Sequence, residues 1–340
     1  MKVLAIETSC DETAAAVVEG GGTNSFVRVL SDEVVSSLPL HVQTKGIVPE
    51  VAAREQLKSI IPIIDETIKK AGVELDDIDG IAVTRGPGLI GSLLIGVETA
   101  KTLSKTINKP LLPVNHLMAH LFSNWIGKEN DLPSFPALGM IVSGGHTDIV
   151  YFESINKYSW IGGTRDDAAG ECFDKCARIL LDAPYPGGPA ISEASKKIGG
   201  KKMEKILPRP MIHDKSLEMS FSGLKTAVLN ETKKSNLDEN RKNVLAFDLQ
   251  RAIVEVLISK LSLALDKNEV KSILVGGGVV ANDYFRKHLK LLEKKRDIPV
   301  FIPEIKYCSD NAAMVGATAV VLNTKELDVN QFFADPSLRL

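Results

Sequence analysis

Two histidines four residues apart, His116 and His120 in His-Leu-Met-Ala-His, are the pair in this chain best placed to hold a metal ion. On a helix such a spacing puts both imidazoles on one face, within reach of a single ion. The same spacing also suits two half-buried histidines that bond locally. An ion needs a further donor. Asp310 can supply it, because a carboxylate completes a two-histidine site, or it can simply cap the helix that follows it. A zinc protease would carry Glu directly after the first histidine as general base; Leu117 stands there, so metal-dependent proteolysis lacks its base.

A second kind of chemistry is written in glycines. Ile141 and Val142 end an apolar run that enters Ser143-Gly144-Gly145, where two consecutive residues without side chains let backbone amides approach a phosphate. A plain hairpin turn uses glycine pairs too. Gly276-Gly277-Gly278 repeats the arrangement between a strand and a helix, but neither stretch is a GxGxxG or a GxxxxGK[ST] loop. Acidic residues gather at Asp11 and Glu12 and again at Asp166, Asp167, Glu171 and Asp174. Most such carboxylates are solvated loop residues. Asp174 lies near the rigid turn Tyr185-Pro186-Gly187-Gly188-Pro189 and could accept ribose or amide hydrogen bonds. Cys172 and Cys176, without a cysteine pair at finger spacing, read as packing residues. Lysines 201, 202, 205, 233 and 234 read as a solvated face, with phosphate contact as the alternative.

These residues need elements to hold them. Residues 3 to 18 alternate strand, small polar turn and strand, and residues 138 to 152 repeat that grammar, which points to a duplicated lobe. Between the copies the pattern predicts a helix from Pro49 to Ala71, a strand from Asp79 to Thr84, a Gly-Pro-Gly turn and a helix to Ile107. Beyond them, helices are expected at 192–205 and 244–266, strands at 272–275 and 299–302, and a small-residue helix from Ala312 to Leu322. The stretch from Gly162 to Thr226, irregular and rich in Pro and Gly, reads as an insertion near the cleft between the lobes.

Composition bounds the answer further. The chain has 340 residues, 44% of them hydrophobic and 25% charged, with a net charge of −2, so it is neither disordered nor fibrous. Four cysteines in so long a chain do not make a stapled secreted domain, and Glu7 ends the first apolar run too early for a signal peptide. No apolar run approaches the length of a membrane helix. A cytoplasmic protein is expected, whose near-neutral charge leaves any RNA contact to local basic stretches at 196–205 and 286–296 or to partners.

Taken together, the motifs resemble those of the universal tRNA threonylcarbamoyladenosine transferase family, the TsaD/Kae-type proteins, and the bacterial type in particular. The resemblance rests on IETSCDET from Ile6, GIVPE from Gly46, GPGLIGSLLIG from Gly86, NHLMAH from Asn115, VSGGHT from Val142 and DDAAGECFDK from Asp166. It continues through YPGGP, PRPM, SFSGLKT, VGGGVVAN, CSDNAAM and the closing ADPSLRL. Chance does not keep so many separated motifs in one order.

The resemblance implies an α/β chain of the ASKHA (actin-like ATPase) fold, with two related RNase H-like lobes around a nucleotide cleft and a helical insertion in the second. Lobe boundaries at 1–133 and 134–340 are expected, with the insertion at about 162–226 and the last helix packing back on the first lobe. It also implies a metal site at His116, His120 and Asp310, with Fe(II) first and Zn or Mg as alternatives, and adenylate contacts at Ile141, Val142, Ser143, Gly144, Gly145, Asp174, Gly187, Gly188 and Asn282. Asp11 and Glu12 match an acidic pair expected to position substrate or a partner. The implied activity transfers threonylcarbamoyl from threonylcarbamoyl-AMP to a tRNA adenosine, and ATP or an adenylate is the expected nucleotide. Expected partners are tRNA, a paralogous TsaB-type subunit, a small TsaE-type ATPase and a TsaC/Sua-type adenylate synthase. Two rivals share the fold: a small-molecule kinase, which the histidine pair disfavours, and a non-catalytic assembly subunit. Two positions depart from the family pattern. Gly163 stands where relatives often carry Glu, removing a carboxylate near Arg165 and Asp166, and Ser192 stands where many carry Asp.

Overall fold

The computed structural model describes residues 1–21, 26–38, 40, 48–129, 131–198, 205–234 and 237–340. Gly46 and Ile47 of the GIVPE motif, Lys201, Lys202 and the end of the helix expected at 192–205 lie outside these residues. The chain divides into two units, Met1–Pro133 with Pro303–Leu340, and Ser134–Ile302.

In the first unit β1 (Lys2–Glu7), β2 (Glu12–Glu19) and β3 (Arg28–Ser36) form an antiparallel meander, to which β4 (Gly80–Gly86) and β5 (Leu111–Asn115) add in parallel beside β1. The order is β3-β2-β1-β4-β5. Helices α1 (Pro49–Ala71), α2 (Ile90–Ile107) and the short α3 (His116–Phe122) make the connections. Pro49 opens α1, and Gly72, in the left-handed region at φ 67°, closes it. β1 and β2 are apolar and buried residue after residue instead of alternating, the pattern of strands covered on both faces. On one face Leu4, Ile6, Ala15 and Val17 meet Ile60, Ile63 and Ile64 of α1 in a single core.

The second unit repeats the plan. β6 (Ala137–Val142), β7 (Thr147–Ser154) and β8 (Lys157–Gly163) form the meander, and β9 (Ser272–Gly276) and β10 (Val300–Phe301) add in parallel, in the order β10-β9-β6-β7-β8. In both sheets the strands therefore run third, second, first, fourth, fifth. Helices α4 (Ala169–Leu181), α5 (Gly188–Lys196) and the start of α6 (Ser222–Lys234) fill the stretch read as an insertion, and α7 (Glu239–Lys267) and α8 (Asp283–Arg296) follow. The second helix of this set begins before the expected residue 192 because Pro189 at its first turn can start a helix.

The lobe boundary expected at residue 340 needs correction: residues 303–340 belong to the first unit. Their helix α9 (Ala312–Val321) is AAMVGATAVV, with all ten residues buried, and it packs on β1, β2 and α3. Its small residues allow that approach. A Cβ on Gly316 would stand 2.6 Å from Val18 Cγ2 and 3.2 Å from Ala5 Cβ. Gly316→Val should therefore overpack this contact and lower stability by about 1–3 kcal/mol, read as a fall in the urea midpoint.

Asp32 on β3 offers a pH test. Burial raises its carboxyl from 3.8 to about 6, and the amides of Ala313 and Ala312 and the charge of Lys306 offset this only in part. A folded pKa above the unfolded one means that this group's contribution is complete below the unfolded value and is lost as pH rises through about 6. Asp32→Asn should gain stability over the wild type as the pH is raised from about 5 to about 7.5, measured by urea unfolding at both ends.

Candidate functional site

The histidines owe their placement to Asn115. Its side-chain oxygen accepts from the amides of Leu117, at 2.9 Å, and Met118, at 3.3 Å, and so starts α3 immediately after β5. His116 and His120 follow one turn apart, 7% and 1% exposed, with ring centroids 4.7 Å apart. Asp310 completes the group: its Oδ1 lies 3.7 Å from His116 Nε2 and 3.3 Å from His120 Nε2. The three donor atoms fall within 4.8 Å of one another. The capping alternative for Asp310 does not hold. Asn311 caps α9, accepting from the amide of Met314 at 2.9 Å, and the preceding carboxylate is left to face the imidazoles.

The donors fit a metal ion. Neither ring nitrogen of buried His120 has a hydrogen-bond partner among the described residues, an arrangement that costs free energy unless something else is bound. Two nitrogens and one carboxylate oxygen suit Zn2+ or Fe2+ and leave coordination positions open. Burial disfavours a protonated His116, but Asp310 and Glu7 outweigh it and lift its pKa to about 9. An ion bound here displaces a proton.

Asp11 and Glu12 belong to the same neighbourhood. The turn between β1 and β2 is pinned from beneath: Gln56 Nε2 donates to the carbonyls of Cys10, at 3.0 Å, and Glu12, at 2.9 Å, while Ser92 Oγ donates to Cys10 at 3.0 Å. Asp11 is buried. The Glu12 carboxyl is pushed well above the usual range, first by burial and then by Asp310 and Asp11. Sequence reasoning missed Gln56, a polar residue on an amphipathic helix with nothing to mark its inward side.

In the second unit Ile141 and Val142 end β6 and deliver Ser143, Gly144 and Gly145. A bond from Ser143 N to His146 O, at 2.8 Å, and one from His146 N to Ser143 Oγ, at 3.1 Å, close the turn. Gly144 and Gly145 are exposed, and a Cβ on either would meet open space, so packing does not demand glycine there. Their amides have no hydrogen-bond partner among the described residues. Successive free backbone amides are the kind of group that can face an anion.

The remaining sequence-derived positions have structural work as well. Asp174 Oδ1 accepts from Gly187 N at 2.6 Å, and burial raises its pKa to about 6, with the amides of Gly187 and Gly188 pulling against that. It anchors the YPGGP turn through amides. Asn282 is engaged at both ends of its amide, capping α8 by accepting from Phe285 N and donating to Gln250 Oε1 at 2.8 Å. Cys172 and Cys176 are buried, their sulfurs 4.0 Å apart. Of the lysines, Lys205 pairs with Glu255 and Lys234 with Glu231. Gly163 explains itself: a Cβ there would stand 2.6 Å from Asp148 Oδ1, and Arg165 finds its carboxylate in Glu218 instead. Asp166 gathers the SFSGLKT segment, accepting from Ser220 and Ser222 hydroxyls and from the Phe221 amide.

Comparison with solved structures defines the class. The chain is similar over 95% of its length to full-length HypF in its phosphate- and nucleotide-bound form, at TM-score 0.60, 12% identity and 46% of that chain. It is likewise similar over 95% of its length to component A of the Acidaminococcus fermentans (R)-2-hydroxyglutaryl-CoA dehydratase, at TM-score 0.52, 14% identity and 97% of that chain. The fold is α/β of the ASKHA, actin-like class, as expected. A family profile described as TsaD, tRNA N6-adenosine threonylcarbamoyltransferase, matches residues 28–317. Relatives bearing that name are 42% identical in Thermosipho africanus, over 100% of both chains, and 46% identical in Dehalococcoides mccartyi, over 93% of this chain and 92% of that one. The chain belongs to the tRNA N6-adenosine threonylcarbamoyltransferase family and is a tRNA-modifying transferase. Among the described residues no helix is long and apolar enough to cross a membrane.

If His116, His120 and Asp310 are ligands, Asp310→Asn should weaken zinc binding by about a hundredfold or more, since even residues behind metal ligands are worth 10–100-fold. Chelator competition on the purified, metal-stripped chain measures it.

Proposed function

We propose that the threonylcarbamoyl group comes from threonylcarbamoyl-AMP and is delivered to the exocyclic amine of the adenosine immediately 3′ to the anticodon, in tRNAs that read codons beginning with A. The new bond joins the adenine N6 to the carbamoyl carbon. The bond from that carbon to the phosphate oxygen breaks, AMP leaves as the phosphate anion, and the amine loses one proton. The observation that carries this reading is the group formed by buried His116 and His120 with half-buried Asp310, in a chain that the transferase profile matches from residue 28 to 317.

An exocyclic adenine amine is a weak nucleophile, so the reaction depends on alignment and on donors aimed at developing negative charge. The amides of Gly144 and Gly145 receive the phosphate of the adenylate, on a turn held in place by Ile141, Val142 and Ser143. Asp174 keeps the Gly187–Gly188 turn in shape for the nucleoside, and Asn282 stands at the start of α8 as a further contact. Asp11 and Glu12 position the substrate beside Asp310. His116, His120 and Asp310 would hold the ion, Fe(II) in this proposal with Zn or Mg as alternatives, and the chemistry it would supply is Lewis-acid polarisation of a carbonyl or orientation of a carboxylate. No protein nucleophile is used.

The chain works in the cytoplasm with others: a synthase of the TsaC/Sua type makes the adenylate, and a paralogous TsaB-type subunit and a TsaE-type ATPase complete the system. ATP or an adenylate occupies the nucleotide site. Partners also supply basic surface for tRNA that a net charge of −2 does not provide.

Single-turnover transfer of labelled threonylcarbamoyl from its adenylate to unmodified tRNA, with these partners present, tests the proposal. The wild type should transfer, and a folded His116→Ala, His120→Ala double variant should lose about 100-fold or more of the rate, the scale of a lost electrostatic stabiliser. Equal transfer by both overturns the role given to the histidines. Hydroxyl-dependent ATP consumption without transfer would move the chain to the kinases.

A further inference from the structure

Glu7 is a carboxylate with no exposed surface, at the last position of β1. A buried carboxylate is expensive unless its oxygens are fully engaged, and these are. Oε1 accepts from the Ser9 amide at 2.5 Å, and Oε2 accepts from the Thr84 hydroxyl at 2.5 Å. Oε2 also lies 3.2 Å from Nδ1 of His116. The opposite nitrogen of that ring, Nε2, is the one that faces Asp310.

We propose that Glu7 is a positioning residue for metal binding: its Oε2 accepts a charge-assisted hydrogen bond from Nδ1–H of His116, so that Nε2 presents its lone pair to the ion. This inference rests on the metal reading above. A carboxylate behind a metal-binding histidine fixes the tautomer, locks the ring and makes the ligating nitrogen more basic. Three elements converge to hold it there, since Glu7 comes from β1, Thr84 from β4 and His116 from the start of α3. Ser9 Oγ lies at the same 3.2 Å from Nδ1, but a neutral hydroxyl is a weaker acceptor than a carboxylate. His120 has no such support, because its Nδ1 lacks a hydrogen-bond partner among the described residues. The stiffness of the site therefore enters through one histidine.

The test uses the full, metal-stripped chain, with Zn2+ affinity read by chelator competition and ligand geometry read from the visible spectrum of bound Co2+. Glu7→Gln, close in shape but uncharged, should weaken Zn2+ binding about 10–100-fold and alter the Co2+ spectrum, the range seen when partners of metal ligands are changed. Thr84→Val, which leaves the carboxylate but removes one of its anchors, should weaken binding in the same direction by a smaller factor. It carries the test if Glu7→Gln does not fold. Ser9→Ala should change affinity by less than about twofold if Glu7 is the acceptor that matters. Wild-type affinity and an unchanged Co2+ spectrum in Glu7→Gln overturn the proposal, as does a Ser9→Ala loss larger than that of Glu7→Gln. A wild-type chain that binds neither ion overturns the metal reading itself, and this inference with it.

Discussion

The contact between α9 and the first sheet governs much else in the first unit. A helix with ten buried residues covers one face of β1 and β2, and at Gly316 it comes so near that a single added carbon would collide with Val18. The apolar runs of β1 and β2 are stable as strands only because both faces are covered, one by α1 and one by this helix. The same contact brings in chemistry. Asn311 caps the helix, which leaves Asp310 one residue earlier and outside it, at the histidines on α3. Packing of small residues thus fixes the distance between a carboxylate and two imidazoles that are far apart in sequence.

Around that contact the first unit concentrates buried polar groups. Glu7, Asp11, His116 and His120 all have under a tenth of their surface exposed, and Asp310 and Glu12 are close enough to one another to raise the Glu12 pKa. So many acids together repel each other and lose solvation, which a folded protein tolerates where hydrogen bonds or a cation compensate. The Glu7 carboxylate accepts from Ser9 N, and the main chain that carries Asp11 and Glu12 is fixed by Ser37 N on the Asp11 carbonyl and the Gln56 side chain on the Glu12 carbonyl. The Ser143–Gly145 turn in the second unit is built differently. It has exposed glycines whose amides have no hydrogen-bond partner among the described residues.

The repeated hairpins were legible because each is local: strand, small turn and strand lie within twenty residues, and periodicity reads them directly. The helix from Pro49 to Ala71 was legible to the residue, since a proline opens it and the left-handed Gly72 ends it. The His116–His120 pair was visible from spacing. Its third member, Asp310, was nominated only with helix capping as a rival, because the residue types Ser309-Asp310-Asn311 do not say which of them caps the helix. Glu7 passed for the polar end of a strand, although an acid closing an apolar run before the Thr8-Ser9-Cys10-Asp11 turn is a signal in hindsight. The sequence reading expected the last helix against the first lobe but drew the second lobe through to residue 340, whereas residues 303–340 group with the first unit.

The first unit is discontinuous in sequence, and its two pieces are separated by the whole of the second. During synthesis the histidines emerge early, on a sheet whose other face is still bare, while Asp310 and α9 come from the ribosome only after Ile302. A nascent chain that stops short therefore keeps an uncovered apolar sheet face and an incomplete donor set. The candidate donor set is therefore completed only after the whole of the second unit has been made, and an intact His116–His120–Asp310 group reports that the chain has been read past residue 310.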